Sequence, residues 1–184
     1  MTMFDFLSKK KKLNISAHKL FSKVIEQSRD TFFYTDLDVE DSLDGRFDLM
    51  AIHMTLVIEK LDNNQDNADA GQIKRHLQEI MFDNLDLTLR EIGVGDLGVG
   101  KKIKVMAEAF YGRMTTYQKL FKNKDVEQMS LAIGRNLYRG HDVNKIILSK
   151  ISSYVYGQVT HINNQSIQDI LDGNIDFMPI QNGD

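Results

Sequence analysis

Apolar residues recur every three or four positions along most of this chain, the period of helices with one buried face. Leu20, Phe21, Val24, Ile25 and Ser28 form the first stripe. Ser16 stands where an N-cap would, and this helix is expected to end near Arg29. Phe47, Met50, Ala51, Met54, Val57, Ile58 and Leu61 form the clearest stripe, with His53 beside it rather than at its centre. After the polar connector LDNNQDNADAG come two longer stripes: Ile73, Leu77, Met81, Leu85, Leu89 and Ile92, then Ile103, Met106, Phe110, Met114, Tyr117 and Phe121. Val126, Met129, Ile133 and Leu137 mark a shorter helix ending near Gly140, and Val143, Ile147, Ile151, Tyr154 and Val155 mark another. Ser166 can cap a last short helix through Ile170 and Leu171, stopped at Gly173. The pattern predicts an all-α fold, a single domain of six or seven helices over residues 16–175. A flexible basic segment, 1–15, precedes it, and an irregular tail, 176–184, follows around Pro179.

The two longest stripes meet at a glycine-rich corner. Gly93, Gly95, Gly98 and Gly100 fall close together, and Lys101, Lys102 and Lys104 follow at once. Such density points to backbone that needs positive φ or close approach. Gly93, Gly95 and Gly98 satisfy G-x-G-x-x-G, and GDLGVGKK is one residue short of a P-loop, with Lys102 in place of the hydroxyl that would bind magnesium. Both motifs need a strand before the glycines. A helix stripe precedes them here, so the expected structure is a tight helix–helix corner rather than a phosphate cradle. Lysines in the first turn of the following helix have the wrong sign for its dipole. Their simplest partners are the acids Asp83, Asp86 and Glu91 of the preceding helix, for which Arg90 also competes.

Composition narrows the chemistry. With 42% hydrophobic residues the 184-residue chain can bury a core, and a formal charge of −3 gives no global basic field for DNA. The absence of cysteine excludes disulfides, zinc thiolates and thiol catalysis. No apolar run reaches the ~18 residues of a membrane span, and no secretory signal is visible. Residues 1–12, MTMFDFLSKKKK, place Met3, Phe4, Phe6 and Leu7 beside four lysines, a frayed basic terminus or a weak interfacial foot on anionic lipid. The stretch TFFYTDLDVEDSLDGRFD carries Asp36, Asp38, Glu40, Asp41, Asp44 and Asp48 with only Arg46 opposing, and reads as an exposed acidic loop. It lacks the glycine and distal glutamate of an EF-hand. The five histidines lie on separate segments without paired spacing, and there is no G-x-S-x-G elbow. The reading is therefore a non-enzyme with no catalytic set, no metal centre and no resident cofactor. Nine methionines, several beside aromatics, suit core filling or an adaptable apolar surface.

Three blocks resemble the ubiquinol–cytochrome c chaperone family, the assembly factors of respiratory complex III. They are FYTDLDVEDSLDGRFDLMAIHMTLVIEKL (33–61), IMFDNLDLTLREIGVGDLGVGKKIKVMAEAFYGRMTTY (80–117) and, more loosely, LAIGRNLYRG (131–140). The succession MF, D, LRE-GVGD, KK-K, FYGR, Y in the middle block is the specific part. The resemblance implies a non-enzymatic helical chaperone. Its mitochondrial members bind newly made cytochrome b until haem insertion and further assembly, with a small partner protein at the ribosome exit. For a chain without a visible transit peptide it implies a bacterial protein at the cytoplasmic face of the inner membrane.

On that reading the Arg90/Glu91–Gly112/Arg113 region is the expected partner surface. Arg46, Arg90, Glu91 and Asp96 would shape or pair within the corner. Lys101, Lys102 and Lys104 would contact a partner or lipid, and Tyr111 and Arg113 would recognise the client. Arg46, Arg90, Glu91 and Arg113 can equally form an internal salt-bridge network. Asp36, Asp38, Asp41 and Asp44 would clamp the basic cytoplasmic loops that a membrane client presents. The alternative is a helical small-molecule or haem-handling protein, with His53 as the suspect residue.

Overall fold

A computed structural model describes residues 3–179, with side chains from residue 7 onward. The described residues form eight helices and no strand: α1 (Met3–Ser28), α2 (Phe32–Thr35), α3 (Leu43–Asp62), α4 (Ala68–Glu91), α5 (Asp96–Asn123), α6 (Val126–Leu137), α7 (Lys145–Asn163) and α8 (Ile167–Leu171). α2 and α8 are single turns, so six helices carry the architecture.

The order of burial follows the stripes. α3 sits at the centre and packs against α1, α4, α5, α6 and α7. Beyond the expected stripe it also buries Leu49, Ile52 and Leu56, so it is apolar on all sides, as a helix surrounded by helices must be. Ser42 caps it by accepting the Gly45 amide. At Gly45 a Cβ would stand 2.1 Å from the Glu40 carbonyl oxygen, so the acidic loop folds back onto this helix only because the residue is glycine.

α1 differs from the expectation. It starts at Met3 rather than at a Ser16 cap, and Ser16 lies buried in mid-helix beside Leu13 and Ala17. The KKKK run is thus helical surface. Lys9 pairs with Asp69 and Lys12 with Asp172, each at 2.7 Å. The side chains of Met3, Phe4 and Phe6, part of the expected interfacial foot, lie outside the described residues. α1 and α4 run side by side in the same direction. Lys9 meets Asp69 at one end, and Ile25 and Ser28 share a cleft with Leu85 and Thr88 at the other.

Residues 174–179 form no helix and are docked against α7. Ile175 and Phe177 are buried, and the Gln158 side chain on α7 holds the Met178 backbone, donating to its carbonyl at 2.8 Å and accepting its amide at 2.9 Å. Residues 180–184 of that segment lie outside the described residues.

Candidate functional site

The glycine corner joins α4 to α5 through residues 92–95. α4 ends with Gly93 at φ +88°, where the Gly93 amide bonds the Arg90 carbonyl and the Val94 amide bonds that of Leu89. Gly95 precedes α5 in extended conformation, and Gly98 and Gly100 already lie inside the helix. Only Gly93 is held at positive φ; a Cβ at Gly95 or Gly100 would meet nothing within 4 Å. The first turn of α5 therefore carries Asp96, the sign its dipole favours, and the lysines sit one turn later.

Arg90 fastens the corner. Its guanidinium bonds Asp86 on its own helix at 2.5 Å and also Asp96 at the start of α5. The two pairs hold its proton more tightly than usual, mainly through the Asp86 hydrogen bond and then that of Asp96. Glu91 is exposed and forms no ion pair among the described residues. Lys101, Lys102 and Lys104 are exposed, and among the described residues none has a carboxylate within 4 Å, so they do not neutralise the acids of α4. Around them Ile92 and Val105 are more than half exposed, and Leu97 stands out at 98%. A cluster of exposed apolar residues beside free cations marks an interaction surface better than either feature alone.

Two clefts open beside this corner, one on each side of Leu43 in the first turn of α3. One, of about 240 Å³, is floored by Ile25, Phe47, Met50, Leu85 and Ile92, with Arg29 and Arg46 among its lining. The other, of about 430 Å³, is lined by Leu89, Val105 and Met106 together with Asp44, Lys101 and Lys102. The structure thus brings Arg46, Asp41, Asp44, Lys101 and Lys102 to one face, with Arg90, Asp96 and Lys104 alongside on the corner.

It does not bring Arg113 there. Arg113 lies almost five turns along α5 from Asp96, about 25 Å. Its side chain is only 11% exposed, with Nη2 2.9 Å from Asp48 and the guanidinium over the Phe47 ring at 5.2 Å. Nε and Nη1 have no hydrogen-bond partner among the described residues. Arg113 is therefore an internal ion-pair residue, not a surface reader. Tyr111 is exposed on the outer face of α5, edge-on to Phe110 at 5.4 Å.

The acidic loop is also less free than its sequence. Asp48 is 1% exposed and receives both Arg113 and Arg139, each at 2.9 Å. Burial pushes its carboxyl up to about 6, against the pull of Arg113 and then Arg139. Arg139, which reaches it from the connector after α6 in a left-handed conformation (φ 56°), also pairs with Asp44 at 3.3 Å. Asp41 is taken by Arg46, which donates from Nε at 2.6 Å and from Nη2 at 3.0 Å. Asp36 accepts the Thr35 hydroxyl at 2.5 Å. Asp38 is exposed at φ 52° with no ion pair among the described residues. Two of the four expected clamp carboxylates, Asp41 and Asp44, are already neutralised.

His53 is not a boundary residue. It is fully buried at the centre of α3. Its Nδ1 lies 2.7 Å from the Leu49 carbonyl, which can only accept, so Nδ1 carries the proton and Nε2 accepts the Tyr154 hydroxyl at 2.7 Å. Gln27 in turn donates to Tyr154 at 3.0 Å. Phe33 and Phe177 stand edge-on to the imidazole. Burial pushes its pKa down to about 4, partly offset by the Leu49 hydrogen bond. Both ring nitrogens are engaged in a neutral structural network, which leaves neither to ligate a haem iron. The available signal was the apolar run LMAIHMTLVI, in which a histidine has no polar side to face.

Residues 35–177 contain the acidic loop, the glycine corner, the Asp48 network and His53. Over that span, more than half of the chain, the sequence matches the family model described as ubiquinol-cytochrome C chaperone. The chain belongs to the ubiquinol–cytochrome c chaperone family. It is a chaperone of the complex III assembly type. A crystal structure of the Cbp3 homolog from Brucella abortus has the same fold, with a TM-score of 0.84 over 97% of each chain at 23% sequence identity. That likeness extends the shared fold beyond the family match at the N-terminal side. No curated protein sequence matches the chain. Among the described residues no helix is long and apolar enough to cross a membrane.

Proposed function

We propose that this chaperone binds newly made cytochrome b through the face where the first turn of α3, the end of α4 and the start of α5 meet. The observation that carries the reading is the association of exposed Ile92, Leu97 and Val105 with Lys101, Lys102 and Lys104, which have no carboxylate partner among the described residues. A holdase for a membrane subunit has to cover apolar segments until they are inserted and joined to their partners, and it does so with apolar surface that its own core has not consumed. Family membership supports the client class. The place of action in this reading is the cytoplasmic face of a bacterial inner membrane. A small partner protein or the ribosome would engage other surfaces.

The test is co-purification from membranes producing cytochrome b, with the chaperone tagged at its C-terminus. Enrichment of cytochrome b that is lost when Lys101, Lys102 and Lys104 are all changed to Glu is the expected result. Those side chains are exposed, so the variant should keep its helical circular dichroism. Enrichment unaffected by the reversal would move the site elsewhere on the chain, and absence of enrichment with folded protein would remove cytochrome b as the client.

A further inference from the structure

The two clefts beside Leu43 carry charges that decide what can lie in them. Four charged residues of the α2–α3 region and its partners are internally compensated. Asp41 is held by Arg46, and Asp44 by Arg139. Among the charged residues lining the two clefts, this leaves Arg29 in the first and Lys101 and Lys102 in the second without a carboxylate partner among the described residues. The free acids near these cations along the chain, Asp30, Glu91 and Glu108, line neither cleft. The uncompensated rim of an apolar-floored groove is thus uniformly cationic, on both sides of the Leu43 ridge.

We infer that these clefts take one amphipathic apolar segment whose flanking charges are acidic. This rests on the client-docking reading of the same face and specifies the kind of segment docked there. The apolar floor of Phe47, Met50, Leu85 and Ile92 on one side, and of Leu89, Val105 and Met106 on the other, accepts side chains projecting from one face of a helix or extended strand. Met50 and Met106 let the floor adapt to more than one side-chain shape. Carboxylates flanking that segment meet Arg29 at one end and Lys101 and Lys102 at the other. A basic loop would meet only like charge, because Asp41 and Asp44 are already occupied. The groove therefore selects the opposite of the basic partner that the sequence of the acidic loop suggests.

Two labelled peptides of about 16 residues, with identical leucines at helical spacing, test this. One carries Glu and the other Lys at the flanking positions, and binding to the full chain is read by fluorescence anisotropy. The Glu peptide should bind about tenfold more tightly than the Lys peptide at low salt, with the gap closing as salt is raised. Changing Lys101 and Lys102 to Glu should reverse the order. Equal binding, preference for the Lys peptide, or no binding of either overturns the inference. So does a preference that survives the double reversal. Phosphatidylglycerol vesicles are the third probe. Vesicle binding that depends on the same lysines and displaces the Glu peptide would assign the rim to lipid and overturn the segment. If cytochrome b enriches but the peptides show no charge preference, the inference fails and the client reading stands. If the peptides discriminate and cytochrome b does not enrich, the groove specificity stands without that client.

Discussion

Two buried titratable residues about one and a half turns apart on α3 pull stability in opposite directions with pH. Burial raises the Asp48 carboxyl from 3.8 to about 6. Its contribution is present below the unfolded pKa and is lost as pH rises through about 6, a swing of about 3 kcal/mol. Burial lowers the His53 imidazole from 6.5 to about 4. Its contribution is present above about 6.5 and is lost as pH falls through about 4, again about 3 kcal/mol. Between these limits the two nearly cancel. Relative to the natural chain, Asp48→Asn should therefore lose stability on acidification from about pH 6.5 to 4, and His53→Gln should gain it. Urea midpoints across that range read the slopes; parallel slopes in the two variants would refute the assignment. The same residues separate two arginines that look alike in sequence. Arg113→Ala leaves Asp48 buried with one partner fewer and should cost about 3 kcal/mol or more. Arg90→Ala removes only exposed pairs, so it should leave the midpoint nearly unchanged while loosening the corner. Thermal melts compare them, and an equal loss in both would place Arg90 in the core of the fold rather than on its surface.

At the scale of elements, the helices were legible because each stripe is local. Some termini were too: α1 ends at Ser28 beside the expected Arg29, and Ser166 caps α8 by accepting the Gln168 amide, whereas the start of α1 was not. α1 reaches back to Met3, and Lys9 and Lys12 on it pair with Asp69 and Asp172, partners that no stretch of α1 reveals. The partner of Arg113 was equally hidden, since Asp48 lies on another helix and Arg139 on a connector. Of the internal network that Arg46, Arg90, Glu91 and Arg113 allowed, only Arg113 joins one, at Asp48 with Arg139; Arg46 and Arg90 make exposed local pairs, and Glu91 makes none among the described residues. The glycines show the converse limit. Their density was visible, but only Gly93 is needed by the backbone. Gly93→Ala should destabilise the corner by about 1 kcal/mol, because alanine resists positive φ. Gly100→Ala should stabilise α5 by roughly 0.5–1 kcal/mol, because its Cβ meets no other atom and helical alanine is favoured. Chemical denaturation of the two variants decides between this and a uniform glycine requirement. Should Gly100→Ala stabilise the chain yet weaken client binding, flexibility at the start of α5 would belong to the docking step.

Across the whole molecule these features separate a rigid centre from a yielding end. α3 is enclosed by five helices, and residues 49–61 are all buried. The cap and ion-pair network around it ties α5 and the connector after α6 to one point. The first turns of α5 have the opposite character, with Gly98 and Gly100 inside the helix and Leu97, the lysines and Val105 in solvent. The two basic regions also lie apart. Asp69, where Lys9 docks, and Ile92 at the corner are separated by the length of α4, about 35 Å. The N-terminal lysines therefore cannot reinforce the corner against the same small partner. Hydrogen exchange should report this gradient. Amides of residues 49–58 should exchange only through global unfolding, and those of residues 98–105 through local opening at much lower free energy. Addition of the Glu-flanked peptide should slow exchange in 98–105 and in the first turn of α3, leaving residues 49–58 unchanged. Equal protection along α3 and α5 in the free protein would mean that the docking face is as rigid as the core. A client would then have to fit a preformed groove rather than be received by a surface that adjusts to it.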